Sequence, residues 1–228
     1  MIPWQQLGAA QVPGADIELR LMRRGAEFSM KLGQNELMNS RLSGSEEALA
    51  TLSCKKIEAV KRPHLLIGGL GMGFTLRAAL AVLGREARIT VAELVPAVIA
   101  WAHGPMADLF GDSLTDPRAT IREADVVDVI KSSPAAFDAI LLDVDNGPEA
   151  LIRKANDALY DVSGLQAIQR ALRPGGILAV WSSGPNIAFT KRLRAADFDD
   201  NEVGVRATTK RSGAHHLIWF ATKSGARN

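Results

Sequence analysis

The sequence predicts an α/β fold: a mostly parallel seven-stranded sheet with an antiparallel last strand, preceded by a short β-hairpin lobe. Three observations carry this. From Pro63 onward, short apolar runs alternate with helical patterns, the rhythm of a parallel sheet covered by helices on both faces. The first of those runs, His64-Leu-Leu-Ile-Gly, stops at glycines spaced Gly69-x-Gly71-x-Gly73, so a strand meets a tight turn and a helix start. Near the end, two extended runs are separated by Lys210-Arg-Ser-Gly, a connection short enough to pair them antiparallel.

In chain order, residues 1–45 form the small lobe. Ile17-Glu-Leu-Arg-Leu-Met and Glu27-Phe-Ser-Met-Lys-Leu alternate in polarity around a turn near Gly25, and a third extended piece runs through Glu36-Leu-Met-Asn. Residues 46–228 form the larger domain. Its first helix opens at Ser45-Glu-Glu with Ser45 as cap and ends before Pro63. Strands follow at 64–68, 89–93, 119–122, 138–143 and 177–182. Helices fill 73–84, 95–110, 125–132, 149–157 and 161–172, the last stopping at Arg173-Pro-Gly-Gly. A helix over 189–196 and strands at 202–207 and 215–222 complete the chain.

Composition bounds the function. With 228 residues, 47% apolar and 23% charged, the chain suits a soluble domain with a small extra lobe. A net charge of +2 is too small to argue for nucleic acid. No apolar run approaches the roughly 18 residues of a membrane span, and Met1-Ile-Pro-Trp-Gln-Gln has no signal-peptide character. The expectation is a cytoplasmic protein. Cys54 is the single cysteine, and His64, His103, His215 and His216 lack metal-ligand spacing, so no metal is expected and the histidines read as structural. Met72, Trp101 and Trp219 read as packing residues. The apolar hairpin and Trp4 offer a face for a second copy, and a homodimer is the expected assembly.

In open α/β sheets ligands sit beyond the carboxyl ends of the strands. Those ends here carry Gly68, Gly69, Gly71 and Gly73, then Glu93-Leu94, Ala124-Asp125, the run Asp143-Val-Asp145-Asn146-Gly-Pro, and Ser182 to Pro185. Glycines let backbone approach a ligand, and an acid about twenty residues on suits the two hydroxyls of a ribose. A dinucleotide fingerprint needs glycine at position 74; Phe74 stands there, which disfavours NAD and favours a nucleoside without pyrophosphate. Asp125 suits an adenine amino group or a helix N-cap, and both can hold at once. Asp143 and Asp145 can hold or deprotonate an amine, while Asp145-Asn146-Gly-Pro can equally be a plain turn.

These motifs resemble the spermidine synthase family, the polyamine aminopropyltransferases, on the Rossmann-like class I methyltransferase fold. The likeness runs from Pro63 to Pro185, through Leu65-Leu-Ile-Gly-Gly-Leu-Gly-Met-Gly, Ile89-Thr-Val-Ala-Glu-Leu-Val-Pro-Ala-Val-Ile, Asp116-Pro-Arg-Ala, Phe137-Asp-Ala-Ile-Leu-Leu-Asp and Leu172-Arg-Pro-Gly-Gly-Ile-Leu. It implies that Glu93 holds the ribose, Asp125 the adenine, and that Asp143 is the first acid of the active-site loop. Two positions depart. The family's glycine loop, Gly-Gly-Gly-Asp-Gly, has an acid where Gly71 stands here, and its second loop acid falls on Asn146. Asparagine accepts a hydrogen bond but takes no proton at neutral pH. Ile67 also stands where methyltransferases commonly carry an acid.

The expected activity is therefore transfer of a methyl or other alkyl group to a small molecule, with an amine among the candidate acceptors. The donor is S-adenosylmethionine or its decarboxylated form. Aminopropyl transfer to a polyamine, or a nucleoside-binding homologue without catalysis, are the alternatives.

Overall fold

Alternating polarity at the start of the chain becomes an antiparallel sheet in the computed structural model, which describes residues 2–143, 159–207 and 215–223. β1 (Gln5–Gln11), β2 (Glu18–Arg24), β3 (Glu27–Leu32) and β4 (Asn35–Asn39) pair in that order. The lobe is thus four strands, not a hairpin with one extended piece. β2 and β3 are the expected hairpin, closing at Arg24 opposite Glu27. β1 escapes sequence reading because Gln5-Gln-Leu-Gly-Ala-Ala-Gln lacks large alternating apolar residues; it is an edge strand, mostly half-buried or exposed. Leu19, Leu21, Phe28, Met30 and Leu32 form the buried face of the lobe.

The second sheet holds β5 (His64–Gly68), β6 (Arg88–Glu93), β7 (Ala119–Glu123), β8 (Phe137–Leu142), β9 (Leu172–Ser182), β10 (Phe198–Arg206) and β11 (His215–Lys223). Its order is β10-β11-β9-β8-β5-β6-β7. Neighbours from β9 to β7 are parallel, and β11 runs against both β9 and β10. The expected seven strands and the antiparallel last strand are all present.

Side-chain alternation splits the core across the two faces of the sheet. Leu65, Ile67, Val91, Ala139 and Leu141 join one cluster with α1 (Gly44–Lys56), α2 (Phe74–Val82), α3 (Pro96–His103) and the N-terminal sheet. Leu66, Ile140, Leu142, Leu178 and Val180 join the other with α5 (Val126–Lys131), α6 (Val162–Ala171) and α7 (Ile187–Ala195). Burying each Leu or Ile stabilises the fold by about 1.5–3 kcal/mol.

Several boundaries move for local reasons. The helix expected over 95–110 breaks at Gly104-Pro105 into α3 and a short α4 (Ala107–Phe110). α1 starts two residues early, with Ser43 in the cap position and no capping side chain; Ser45 is instead inside the first turn, its hydroxyl on Glu46. α1 also stops at Lys56, well short of Pro63. β9 begins at Leu172, and Arg173-Pro-Gly-Gly is absorbed as a bulge between the Phe137–Leu172 and Ala139–Ile177 pairs. The helix expected at 149–157 and the Lys210-Arg-Ser-Gly turn lie outside the described residues.

Topology places the site. β6 and β7 extend the sheet to one side of β5, β8 and β9 to the other, so the direction in which successive strands are added reverses between β5 and β8. A crevice opens there at the carboxyl ends of the strands.

Candidate active site

A cavity of about 540 Å³ lies over that crevice, within the usual range for a small-molecule site. One wall comes from the ends of β5, β6 and β7. Gly69, Gly71, Glu93, Leu94, Asp125 and Val126 line it. The turn after β5 needs its glycines: Gly71 has φ +51° and Gly73 φ +78°. A Cβ at 73 would run into the Phe110 ring, and one at 71 would come within 2.8 Å of Met38 Cε. An acidic side chain at 71 would therefore meet backbone strain and have to displace Met38.

Glu93, only 7% exposed, is held by the backbone it borders. Its Oε2 accepts from Leu70 N at 2.8 Å and its Oε1 from Val95 N at 2.8 Å. Burial pushes its pKa up, and these amides with those of Gly71 and Leu94 pull it back. Each oxygen has a further lone pair to offer the cavity. Asp125 serves as the N-cap of α5, accepting from Val127 N at 2.9 Å, and still lines the cavity. Gly68 and Gly73 shape the turn without lining the main cavity, and Ala124 donates its N–H to Glu93 O at 3.0 Å.

The lining beside the glycine turn is acidic. Asp143 follows β8 directly, and Glu46 projects from the first turn of α1; both line the cavity. Burial first, then the Glu46 charge, push Asp143 up to about 8. Burial likewise raises Glu46, opposed by the Ser45 hydroxyl. Thr75 Oγ1 lies 3.5 Å from Asp143 Oδ2 and 3.5 Å from the Glu46 carbonyl. No ion pair joins Glu46 or Asp143 to a cationic side chain among the described residues. Asp145 and Asn146 lie outside the described residues.

Behind Glu46 runs a hydrogen-bonded chain. Ser45 Oγ donates to Glu46 Oε2 at 2.7 Å, and His216 Nδ1 lies 2.9 Å from Ser45 Oγ. With Ser45 donating forward, the His216 Nδ1–H donates to it. Burial lowers the His216 pKa, favouring the neutral ring. Trp181 stands edge-on to His216 at 4.7 Å between ring centres. An apolar part of the wall, Val12, Leu19, Met30, Leu32, Leu37 and Met38, comes from the N-terminal sheet and its connections, and Ser182 to Pro185 line the cavity from the end of β9.

With that geometry in place, the likeness to known proteins can be stated. No family model matches the chain. It is 33% identical over 134 residues to polyamine aminopropyltransferase 1 of Streptomyces coelicolor, an alignment covering 57% of this chain and 24% of that protein. The match thus spans about a quarter of the length of the curated relatives. Among solved structures, spermidine synthase from Thermotoga maritima superposes with a TM-score of 0.75 at 21% identity, covering 96% of this chain and 73% of that one. The fold is that of the spermidine synthases. Human methyltransferase-like protein 13 in complex with SAH is more distant, with a TM-score of 0.57 at 20% identity and 81% of each chain covered.

Within this spermidine synthase fold, the glycine turn, Glu93, Leu94, Asp125 and Asp143 meet around one cavity, as their strand-end positions imply. Ser45, Glu46, Trp181 and His216 are among the cavity residues that sequence reasoning missed. Glu46 looked like an ordinary acid in a helix first turn, and His216 like a structural strand residue. The one available signal was position: Trp181 and His216 lie near or at the ends of paired strands, and Ser182 sits opposite Leu217. Met72, Trp101 and Trp219 are buried as expected. Among the described residues, no helix is long and apolar enough to cross a membrane.

Proposed function

We propose that this chain transfers the aminopropyl group of decarboxylated S-adenosylmethionine to an amine. The observation that carries the proposal is one cavity lined by two kinds of group: a glycine turn with Glu93 and Asp125, and the acidic pair Asp143 and Glu46 beside that turn. The first suits a nucleoside, with Glu93 accepting from the ribose hydroxyls and Asp125 from the adenine amino group. The second suits amines, because burying an ammonium is costly unless a carboxylate pairs with it.

In the reaction, the acceptor nitrogen's lone pair attacks the propyl carbon bonded to the sulfonium. The carbon–sulfur bond breaks with its electron pair going to sulfur, a neutral thioether departs, and the nitrogen's proton passes to a carboxylate. Asp143 is suited to take it, since burial and Glu46 raise its basicity towards that needed at neutral pH. Holding the two reactants in line supplies most of the remaining acceleration.

The curated relatives favour aminopropyl transfer over the methyl or alkyl transfer that the sequence puts first. Gly71 supports methyl transfer as a second reading, because the glycine turn carries no acid of its own. Product identity separates the two. Incubated with each donor and a panel of amines, the protein should release methylthioadenosine from the decarboxylated donor, read by mass spectrometry. S-adenosylhomocysteine would indicate methyl transfer, and no turnover with either donor would leave a nucleoside-binding homologue.

A further inference from the structure

The N-terminal sheet lines the cavity with one continuous apolar face. Met38 stands at its near end, because it also borders the small space shared by Glu46, Asp143 and the glycine turn. Met30 pairs with Met38 across β3 and β4. Leu37, left unpaired by the bulge between the Met30–Met38 and Lys31–Glu36 pairs, lines the cavity as well. Leu32 is two residues from Met30 on the same strand face, and Leu19 lies opposite Leu32 on β2. Leu42, 38% exposed, adds a further apolar side chain to the same lining.

The carboxylates of the cavity lie elsewhere. Among the described residues, Glu93 and Asp125 belong to the nucleoside wall, and Glu46 and Asp143 sit together beside the glycine turn. The N-terminal sheet brings no charged side chain to the lining among the described residues. Its polar contribution, Asn39, is already committed. The Asn39 amide donates to Glu36 Oε1 at 2.8 Å, and its Oδ1 accepts from Arg41 N at 3.0 Å. The cavity therefore offers negative charge at one end of an apolar surface and none along it.

We propose that the acceptor is an amine with one cationic end and an apolar body, alkyl or aryl, rather than a diamine. Its reacting nitrogen lies at Asp143 and Glu46, and its body lies along the face from Met38 through Met30 and Leu32 to Leu19. A diamine would have to set its second ammonium against methionine and leucine side chains, where no carboxylate pairs with it. A terminal methyl or a ring in that place removes apolar surface from water instead. The two methionines, unbranched and polarizable, adapt to either shape. That an amine is the acceptor at all rests on the function proposed above.

The test uses acceptors matched in size, pentylamine with putrescine and hexylamine with cadaverine, so that a terminal methyl replaces a terminal ammonium in each pair. Phenethylamine supplies the aryl case. With the decarboxylated donor, methylthioadenosine release is followed by mass spectrometry. The monoamine of each pair should show a kcat/KM at least about tenfold above its diamine, most of it in KM. Leu32→Glu, which sets a carboxylate on the apolar face, should shrink that ratio by about tenfold. Equal kcat/KM within the pairs, or a preference for the diamines, overturns the apolar acceptor and leaves aminopropyl transfer standing. A ratio unchanged in a folded Leu32→Glu protein overturns the placing of the body on this face. The wild-type comparison decides the acceptor class even where the variant folds poorly. Methylthioadenosine from none of the amines overturns aminopropyl transfer itself, and the acceptor class with it.

Discussion

Asp138 and Asp143 sit at the two ends of one strand, β8, and their surroundings are opposite. Asp138, 7% exposed, accepts from Arg173 Nη1 at 2.6 Å and from the His64 backbone N–H at 2.8 Å. Its charge is matched, and it ties β8 to β5 and β9. Asp143 faces a cavity with a second carboxylate and has no ion pair among the described residues. The sheet thus spends a cation on one end and withholds it from the other. A matched buried acid builds structure, whereas an unmatched one in a cavity is poised for a cationic ligand or a proton. Glu93 stands between these cases, buried like Asp138 but held by backbone amides rather than by a cation.

The largest expected effect breaks the open end. Asp143→Asn should lower kcat/KM by about a hundred- to ten-thousandfold, while affinity for the methyl thioether of adenosine stays within about twofold, measured by steady-state assay and calorimetry. Undiminished turnover would remove Asp143 from the chemistry. At the matched end, Asp138→Ala should leave nucleoside affinity intact but cost about 2–4 kcal/mol of stability in urea unfolding, since it strands Arg173 and the His64 N–H. A loss below about 0.5 kcal/mol would show that the pair is no anchor.

A smaller effect separates turn shape from charge. Gly73→Ala should cost about 1–3 kcal/mol, read as a lower melting temperature, because alanine is strained at φ +78° and meets Phe110. A further test is in pH. Asp143 has a folded value of about 8 against an ordinary 3.8. In that window the folded state binds more protons than the unfolded one, so stability falls as pH rises from about 4 to about 8 and the penalty is complete above. Glu46, raised as well, acts in the same direction, and Thr75 opposes it weakly. Asp143→Asn should flatten the decline in melting temperature between about pH 5 and 8.5; a decline as steep as the wild type's would place its origin elsewhere.

The same contrast explains what the sequence reveals. The nucleoside wall is local: Gly69 to Gly73 and Glu93 fall within one strand–turn–helix–strand unit, where spacing alone dictates proximity. The acid wall is assembled from Ser45-Glu46, Asp143, Trp181 and His216, on separate elements brought together only by the strand order. No spacing rule links a helix first turn to a strand more than a hundred residues later. β1 was illegible for a different reason, because its small and polar residues carry no period. The helix break at Gly104-Pro105 follows local punctuation inside an expected helix, whereas the bulge at Arg173-Pro-Gly-Gly shows a strand carried through such punctuation.

The central claim is that one cavity joins a nucleoside-binding wall to uncompensated negative charge. Calorimetry with S-adenosylmethionine and its decarboxylated form, side by side at neutral pH, tests it most directly. The two donors differ by one carboxylate, which would have to lie near Glu46 and Asp143. The account predicts that the decarboxylated donor binds at least about tenfold more tightly, a difference of about 1.4 kcal/mol. Equal affinity, or a preference for the carboxylated donor, would contradict it.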